Sequence, residues 1–506
     1  MPQEIELKYT LPGLDGDEAL RRLRRHPLLR RRALQRTQLL NRYLDTPDGW
    51  LRQQRCALRL RASVELDAQG HPLPGATHWE QTLKTAGEGR GALSARGEWT
   101  TPLARPRVDV PALLATPLGE SPDAAARLRE LTTVAQTRCL RTTWTLHLRE
   151  GAVVEVALDV GELRAGRRRA PLLELELELL RGDVAALLEV AETLADELPL
   201  LPARASKAQQ AQRLAAGTLA APVRAALPAL PAGATPLQVA QAALADALGQ
   251  LCDNLALALR YDDPELIHQA RVGWRRWRSV LRLVQPWLPA APPDVAPLRP
   301  LLETLGTLRD LDVARTETLP GWRAAFVEDA QAHPQRERAV RVATARLERL
   351  ARQARATLRC HLTEPASVAV LHRLGAWLVQ LPPQPSAPVE PGWAYERLRR
   401  WHARLKRQLG HARDTPVEAM QALHAARLLA KRLRYATEAA SGALPLRAVE
   451  RAQRWQRRAR GWQERLGRWR DTARAAELLQ QVQADAALIG FLRGVAAATH
   501  PLRAAE

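Results

Sequence analysis

Glu4-Ile5-Glu6-Leu7-Lys8 opens the chain. In an extended backbone neighbouring side chains point to opposite faces, so two carboxylates and an ammonium share one face and Ile5 and Leu7 share the other. One such strand reads equally well as a half-exposed sheet edge. The alternation recurs, however, at roughly 3–11, 38–45, 55–63, 77–84, 94–101, 138–148, 152–160 and 171–180, with helical spacing near 16–26, 123–131, 182–196 and 205–216. The last three strand segments follow one another closely, with turns at Gly151 and in the Arg164–Arg169 stretch. No βαβ rhythm appears, so the spacing predicts about eight antiparallel strands closed into a barrel.

The polar faces of these strands form one set. They carry Glu4, Glu6 and Lys8, then Arg59 and Arg61, Lys84, Arg96 and Glu98, Arg141, Glu155 and Asp159, and finally Glu174, Glu176 and Glu178. Lys207 follows Ser206 at the start of the last helix of this half. The positions between them, such as Leu58, Leu60, Leu83, Val154, Val156, Leu158, Leu175 and Leu177, are apolar. A wet outer face is the ordinary fate of such a pattern. Against it, three carboxylates at 174, 176 and 178 repel one another unless cations lie close by. Carboxylates offer hard oxygen ligands to Mg²⁺ or Mn²⁺, while guanidinium forks and ammoniums suit phosphate oxygens. Turned inward, this face makes a charged tunnel.

With these companions, the Glu4-x-Glu6-x-Lys8 signature resembles that of a CYTH domain of the triphosphate tunnel metalloenzymes, over about 1–210. The resemblance implies an inorganic triphosphatase with Glu4, Glu6 and Lys8 at its catalytic centre. It implies that Glu4, Glu6, Glu98, Asp159, Glu174 and Glu176 hold Mg²⁺ or Mn²⁺, with Glu176/Glu178 as the alternative pair and Glu155 as a further candidate. It also implies that Lys8, Arg59, Arg61, Lys84, Arg96, Arg141 and Lys207 grip the triphosphate. Arg138 falls on the face opposite Arg141. Cleaving a terminal phosphoryl group depends mainly on positioning and charge neutralisation. No Ser-His-Asp set, nucleophilic Cys arrangement or Walker glycine loop is present, which disfavours covalent and P-loop mechanisms.

Charge divides the chain. Of 75 Lys+Arg and 54 Asp+Glu, residues 1–219 hold 32 and 28 while residues 220–506 hold 43 and 26, a net of +17 in the second part. That field would attract a polyanion. There are five lysines (Lys8, Lys84, Lys207, Lys406 and Lys431), which fits a need for a compact ammonium at a few places. The 506 residues suffice for two to four domains. Residues 217–236, rich in Ala and Pro, predict a linker between a first domain at 1–210 and a helical domain at 237–500, with breaks near the Pro clusters at 286–300 and 382–391. Cys56, Cys139, Cys252 and Cys360 are scattered and read as reduced thiols of a cytosolic protein. Neither a leader nor a membrane span is expected.

The helical half repeats itself. His268-x-x-Arg271-x-x-x-Arg275-Arg276-x-Arg278 returns as His424-x-x-Arg427-x-x-x-Lys431-Arg432-x-Arg434. Leu305-Gly306 with Arg309-Asp310 returns as Leu466-Gly467 with Arg470-Asp471. His268, Arg271, Arg275, Arg278 and Arg282 step by three and four along one helix stripe of about 21 Å, as do His424, Arg427, Lys431 and Arg434 in the copy. A solvated basic face explains one such helix; two matched copies favour an extended anion. The two histidines read equally as uncharged packing groups or as anion contacts, and Trp274, Trp277, Trp455, Trp462 and Trp469 read as helix-packing residues. Over about 236–500 this half resembles a CHAD domain, whose family consists of two related four-helix bundles that bind inorganic polyphosphate. That resemblance implies polyphosphate as a partner and polyphosphate granules as a location. Three other functions stay open on the sequence: a tunnel acting on a nucleoside or thiamine triphosphate or as an adenylate cyclase, a polyphosphate-binding scaffold with an idle barrel, and a nucleic-acid binder, the last disfavoured.

Overall fold

The computed structural model describes residues 3–500 except 86, 91, 227–228, 329–330, 384–387 and 415–418, so parts of the expected linker and of the second Pro cluster lie outside the described residues. Its contacts divide the chain into two compact units, one of residues 1–222 with 362–379 and one of residues 223–361 with 380–506.

The first unit is built on ten strands: β1 (Gln3–Thr10), β2 (Leu34–Asp45), β3 (Cys56–Leu66), β4 (Pro72–Thr85), β5 (Glu88–Arg90), β6 (Leu93–Leu103), β7 (Thr132–His147), β8 (Val153–Ala165), β9 (Arg168–Arg181) and β10 (Leu201–Pro202). Eight of them close a ring in the order β1-β9-β8-β7-β2-β3-β4-β6, with β6 returning to β1. Adjacent ring strands are antiparallel, and β5 and β10 are short additions at the edges of the ring. The eight-stranded closed barrel expected from the alternation is therefore present. β2 and β7 begin earlier than the alternation suggested, at Leu34 and Thr132, because polar residues there occupy both faces of the strand and blur the period of two. At the β8–β9 turn Gly166 takes φ +57°. Gly161 on β8 lets two strands approach closely, since a Cβ there would lie 2.1 Å from the Arg138 carbonyl oxygen on β7.

The barrel is greasy outside and ionised inside. Outward residues Leu7, Tyr9, Trp144, Val154, Val156, Leu158, Leu175 and Leu177 form a buried cluster with the helix Val184–Ala195, which also takes in Ala369. On the opposite wall Leu44, Leu58, Leu60 and Leu83 pack under Trp50, Leu51, Leu113 and Leu118. Burying each such side chain contributes about 1.5–3 kcal/mol, so the helical coat is what keeps the barrel closed in water. The coat includes the helix Pro365–Gln380, distant in sequence from the strands it covers. Its His372 Nδ1 lies 2.7 Å from the Tyr9 hydroxyl on β1, and both groups are buried. Inside, one end of the bore is closed by the helix Lys207–Ala215, whose Ala208, Ala211 and Leu214 pack against Leu39, Tyr43, Cys139, Leu163 and Leu172. A reciprocal capping box between Ser206 and Gln209 starts that helix and fixes Lys207 at its first turn.

The second unit is helical. One set of four long helices is Pro236–Ala258, Pro264–Val284, Arg299–Val313 and Pro334–Thr363; the other is Trp393–Asp414, Ala419–Ala439, Leu446–Gln481 and Ala486–Ala498. Thr235 and Gln238 form a capping box at the start of the first helix, with Pro236 in its opening position. The repeated motifs lie on Pro264–Val284 and Ala419–Ala439, and these two helices pack on each other. No helix of the described residues is long and apolar enough to cross a membrane.

Candidate functional site

Strand register builds the tunnel by setting acids beside bases. Glu4 stands opposite Arg96, Lys8 opposite Glu176, Lys84 opposite Glu98, Arg61 opposite Glu80, and Arg141 opposite Asp159. Glu155 and Asp159 of β8 stand opposite Glu178 and Glu174 of β9. A cavity of about 130 Å³ lies among Glu4, Lys8, Arg59, Lys84, Arg141 and Glu178. Every tunnel residue singled out from the sequence lies on this inward face, and Arg138 is on the exposed outer side.

Three linked groups of charges line the bore. Lys207 Nζ lies 2.7 Å from Asp159 and 2.8 Å from Glu176, and also pairs with Glu174. Lys8 reaches Glu176 at 2.7 Å and Glu6 at 3.6 Å, joining this group to β1. Arg141 donates from Nε and Nη2 to the two oxygens of Asp159, at 2.8 and 2.7 Å, and from Nη2 to Glu176 at 2.5 Å. In the second group Lys84 donates to Glu4 at 2.6 Å and stands 3.2 Å from Glu98. Arg96 spans Glu4 at 2.9 Å and Glu6 at 2.5 Å. In the third, Glu80 lies 3.5 Å from Arg59 and 3.4 Å from Arg61, and Arg61 Nε donates to Asn41 at 2.8 Å.

Burial opposes charge at several of these groups, and their neighbours decide which stay ionised. For Asp159, Arg141 and Lys207 overcome burial and hold the carboxyl at about 2. Lys84 and Arg96 do the same for Glu4, also at about 2. Burial works against Glu176 too, yet Lys207, Lys8 and Arg141 hold it well below the usual carboxylate range. At Glu174 burial outweighs Lys207 and Lys8, and its acidity is weakened. Glu178 is pushed up to about 7, first by burial and then by Glu4 and Glu155. Lys207 is raised well above an ordinary lysine because Asp159, Glu174 and Glu176 outweigh its burial. Lys84 is lowered, by burial and then by Arg59.

Asp159, Glu174 and Glu176 are buried and each offers an oxygen within 4.8 Å of the others, so they can hold a divalent cation. Of the alternative pairs on β9, Glu174 and Glu176 are the two that gather with Asp159, while Glu178 sits nearer Glu4 and Glu155. Among the described residues the inward face carries nine carboxylates (Glu4, Glu6, Glu80, Glu98, Glu155, Asp159, Glu174, Glu176 and Glu178) and seven bases (Lys8, Arg59, Arg61, Lys84, Arg96, Arg141 and Lys207). A lining with more acids than bases is not a simple anion trap. It suits an anion that arrives with cations.

Two residues here escaped the sequence reading. Glu80 lies four positions before Lys84 on the same strand face, a signal that period-2 counting contained. Asn41 is fully buried, accepts from Arg61 and donates to Thr137 Oγ1 at 2.7 Å; nothing in its neighbourhood of β2 marked it.

In the helical unit the packing of the motif helices gathers bases, with Asp310 and Asp471 as the nearby carboxylates. Arg271, Arg275, Arg427 and Lys431 make no ion pair among the described residues. Burial, then Arg275, Arg427 and Arg271, lowers Lys431 to about 6, so the two stripes face one another. Burial and Arg275 likewise hold Arg271 at about 10. His268 is pushed down to about 4 by burial and Arg309, which keeps it uncharged at neutral pH, whereas His424 is exposed. Arg278 and Arg282 are exposed at the far end of the first stripe, and Arg434 leans on Glu438 at 3.3 Å. Arg276 belongs to the packing: it is buried and pairs with Asp246 at 2.6 Å.

A closed antiparallel barrel with paired acids and bases lining its bore makes a charged tunnel. Residues 2–211 match the family model of the CYTH domain and residues 242–480 that of the CHAD domain, so the chain is a CYTH–CHAD two-domain chain. Over 210 residues it is 31% identical to an inorganic triphosphatase of Haemophilus influenzae, covering 42% of this chain and 54% of that protein. The chain thus spans about half the length of that curated relative. Among solved structures it is similar to the CHAD domain from the plant Ricinus communis, at 28% identity and TM-score 0.46, covering 56% of this chain and 93% of that one. It is also similar to a putative adenylyl cyclase from Hippeastrum with a dominant triphosphatase activity, at 20% identity and TM-score 0.30, covering 41% and 95%.

Proposed function

We propose that the barrel hydrolyses inorganic triphosphate to pyrophosphate and phosphate with Mg²⁺ or Mn²⁺, and that the basic helical unit binds inorganic polyphosphate. The observation that carries the reading is the inward face itself, on which nine buried or half-buried carboxylates alternate with seven bases. The resemblance of the first half to an inorganic triphosphatase supports it.

Glu4, Glu6, Glu98, Asp159, Glu174 and Glu176 would hold the divalent ion, which supplies a positive charge against substrate oxygens. The work of the chain is to exchange partners. Lys8, Arg96, Arg141 and Lys207 are held by carboxylates; where those carboxylates held a divalent ion, the bases would be released to phosphate oxygens. Arg59, Arg61 and Lys84 grip the chain of phosphates, and Glu4, Glu6 and Lys8 act at the scissile bond. Bases that meet charge developing on the leaving pyrophosphate act in the transition state, so their loss lowers kcat more than it raises KM. Glu178, protonated or ionised near pH 7, can take a proton from an attacking water.

Phosphate release from triphosphate with and without Mg²⁺ or Mn²⁺ tests the reading. The folded Glu4→Gln/Glu6→Gln variant is expected to lose turnover by at least about a hundredfold; wild-type turnover in that variant would sink it. For the helical unit, labelled polyphosphate is competed against DNA and RNA at one salt concentration, and displacement by DNA as efficient as by polyphosphate would remove the second half of the proposal. Cytosolic location goes with the scattered thiols, and polyphosphate granules with that binding.

A further inference from the structure

The helix Pro264–Val284 presents a second flank beside its basic stripe. A slot of about 610 Å³ lies between this flank and the segment 288–295 that follows the helix, a volume within the roughly 300–1,000 Å³ of small-molecule sites. Trp274, Trp277 and Leu281 form the helix wall, and Leu288, Pro292 and Pro293 belong to the facing wall. The polar side chains among its described lining residues are Arg278, Arg282 and Gln285, and no carboxylate is among them. The slot is thus apolar along its length and positively charged at one side.

Its two tryptophans do different work. Trp277 is 1% exposed and packs the helix into the bundle, whereas Trp274 is half-buried and its indole N–H donates to no group among the described residues. A half-buried indole opposite proline rings is a flat apolar platform of the kind on which planar rings stack. Arg278 and Arg282 make no ion pair among the described residues, and four residues set them one turn apart, about 6 Å along the helix. Beyond them the positive field continues. Arg397 donates to the Arg282 carbonyl at 2.7 Å and stands 5.7 Å from the Trp287 ring, and Arg432 stands 5.7 Å from the Trp401 ring, so rings rather than acids hold these two guanidiniums. Arg432 is lowered to about 10, by burial and then by Arg282, Arg404 and Arg278, which places the four guanidiniums within one another's field.

A ligand that fills this slot needs a flat apolar body and an anionic tail. We infer that the slot binds a nucleoside polyphosphate, with its base against Trp274 and its phosphates on Arg278 and Arg282. Gln285 offers both a donor and an acceptor to the edge of the base. Inorganic polyphosphate has the charge without the ring and would leave Trp274 and the proline wall unused. A single nucleic-acid strand needs successive platforms, whereas Trp274 is the lone half-buried ring among the described lining residues. The inference is independent of the barrel's activity. It shares Arg278 and Arg282 with the stripe proposed for polyphosphate, so a nucleotide seated here competes with polyphosphate at that end of the stripe.

The test uses the full chain in chelator and measures ADP, adenosine and pyrophosphate binding by calorimetry. ADP is expected to bind at least roughly tenfold more tightly than either of its parts. Trp274→Leu, which keeps an apolar side chain, should weaken ADP roughly tenfold and leave polyphosphate affinity unchanged, and Trp274→Phe should recover most of the loss. Arg278→Gln/Arg282→Gln should weaken ADP as well. Light-activated 8-azido-ADP should label the segment 288–295 or the helix before it, and this label decides the matter where leucine lowers the melting temperature. A label confined to the barrel overturns the inference and leaves the proposed function standing. So does ADP binding no tighter than that of pyrophosphate or of dihexanoyl phosphatidic acid, and so does wild-type ADP affinity in a folded Trp274→Leu variant. ADP binding at this slot without polyphosphate binding supports the inference and removes the polyphosphate half of the proposed function.

Discussion

Replacing Lys207 by methionine keeps the length and apolar volume of the side chain and removes its charge from a place where three carboxylates converge on it. The ammonium lies 2.7 Å from Asp159 and 2.8 Å from Glu176, pairs with Glu174 as well, and is 7% exposed. Removing one partner of a buried ion pair costs about 3–5 kcal/mol, because the charges left behind are neither hydrated nor compensated. For a domain of this size each kcal/mol moves the melting temperature by about 2–4 °C, so Lys207→Met is expected to melt roughly 10 °C lower in metal-free buffer. A divalent ion at Asp159, Glu174 and Glu176 replaces the missing charge, and at a hundred times its Kd contributes about 2.7 kcal/mol. Mg²⁺ or Mn²⁺ should therefore raise the melting temperature of the variant several degrees more than that of the wild type. A further Glu174→Gln change should recover part of the loss without metal. Activity behaves differently: a lost phosphate grip costs about a hundredfold to a thousandfold in kcat, which added metal does not restore. Thermal scans with and without chelator, followed by phosphate release, check both parts. A loss below about 1 kcal/mol, or an equal response of both proteins to metal, would refute the argument that Lys207 balances a cation-binding triad.

Other expectations concern protons and partners. Glu178 is raised to about 7 in the folded chain from 4.5, so its contribution is present below about pH 4.5 and lost as pH rises through 7; Glu178→Gln should be more stable than wild type by about 2–3 kcal/mol at pH 8 and no more stable at pH 4, read by chemical denaturation. Glu4 and Asp159 have the opposite sign: held at about 2, they stabilise the barrel above about pH 4.5, and that stability should fade as the pH drops toward 2. In the helical unit Lys431 is lowered to about 6 by burial and its arginine neighbours, so it must take up a proton when an anion binds; polyphosphate affinity should be roughly tenfold higher at pH 6 than at pH 8, and Lys431→Met should flatten that dependence in a fluorescence titration. Asn41→Ala leaves Arg61 Nε without its acceptor beside Arg59 and Arg141, and should lower kcat for triphosphate roughly tenfold with a smaller change in KM, while Asn41→Asp keeps the acceptor and most of the rate.

Much of this was legible because the period of a strand is two and the chain holds to it with charges. Glu4, Glu6 and Lys8, then Arg59 and Arg61, then Glu174 and Glu176, each announce a face, and the sum of those faces requires closure. The inward direction needed the other half of the pattern: Leu58, Val156 and Leu177 are buried under helices, which leaves the ionised side only the bore. The helix after Ser206 was readable from its capping signal, and the order of the motif repeats from their spacing. Asn41 was silent because one amide among polar neighbours has no periodic signature. The facing of the two basic stripes could not be read either, since spacing along a helix says which residues share a face and nothing about what that face meets. The helix Pro365–Gln380 is apolar on nearly all sides, and no local signal says that its partner is a strand more than 350 residues earlier.

That helix bears on how the chain can be cut. A fragment ending in the linker would contain every strand and every tunnel charge, yet it would lack a stave of the first unit. Tyr9 would lose its hydrogen-bond partner at His372, and the apolar wall around Leu175 and Leu177 would lose part of its cover near Ala369. Such a fragment carries an open hydrophobic seam and a buried hydroxyl without a partner, the ingredients of precipitation during expression. A soluble form of the first unit has to keep residues 362–379, supplied as a grafted segment or by leaving the full length intact.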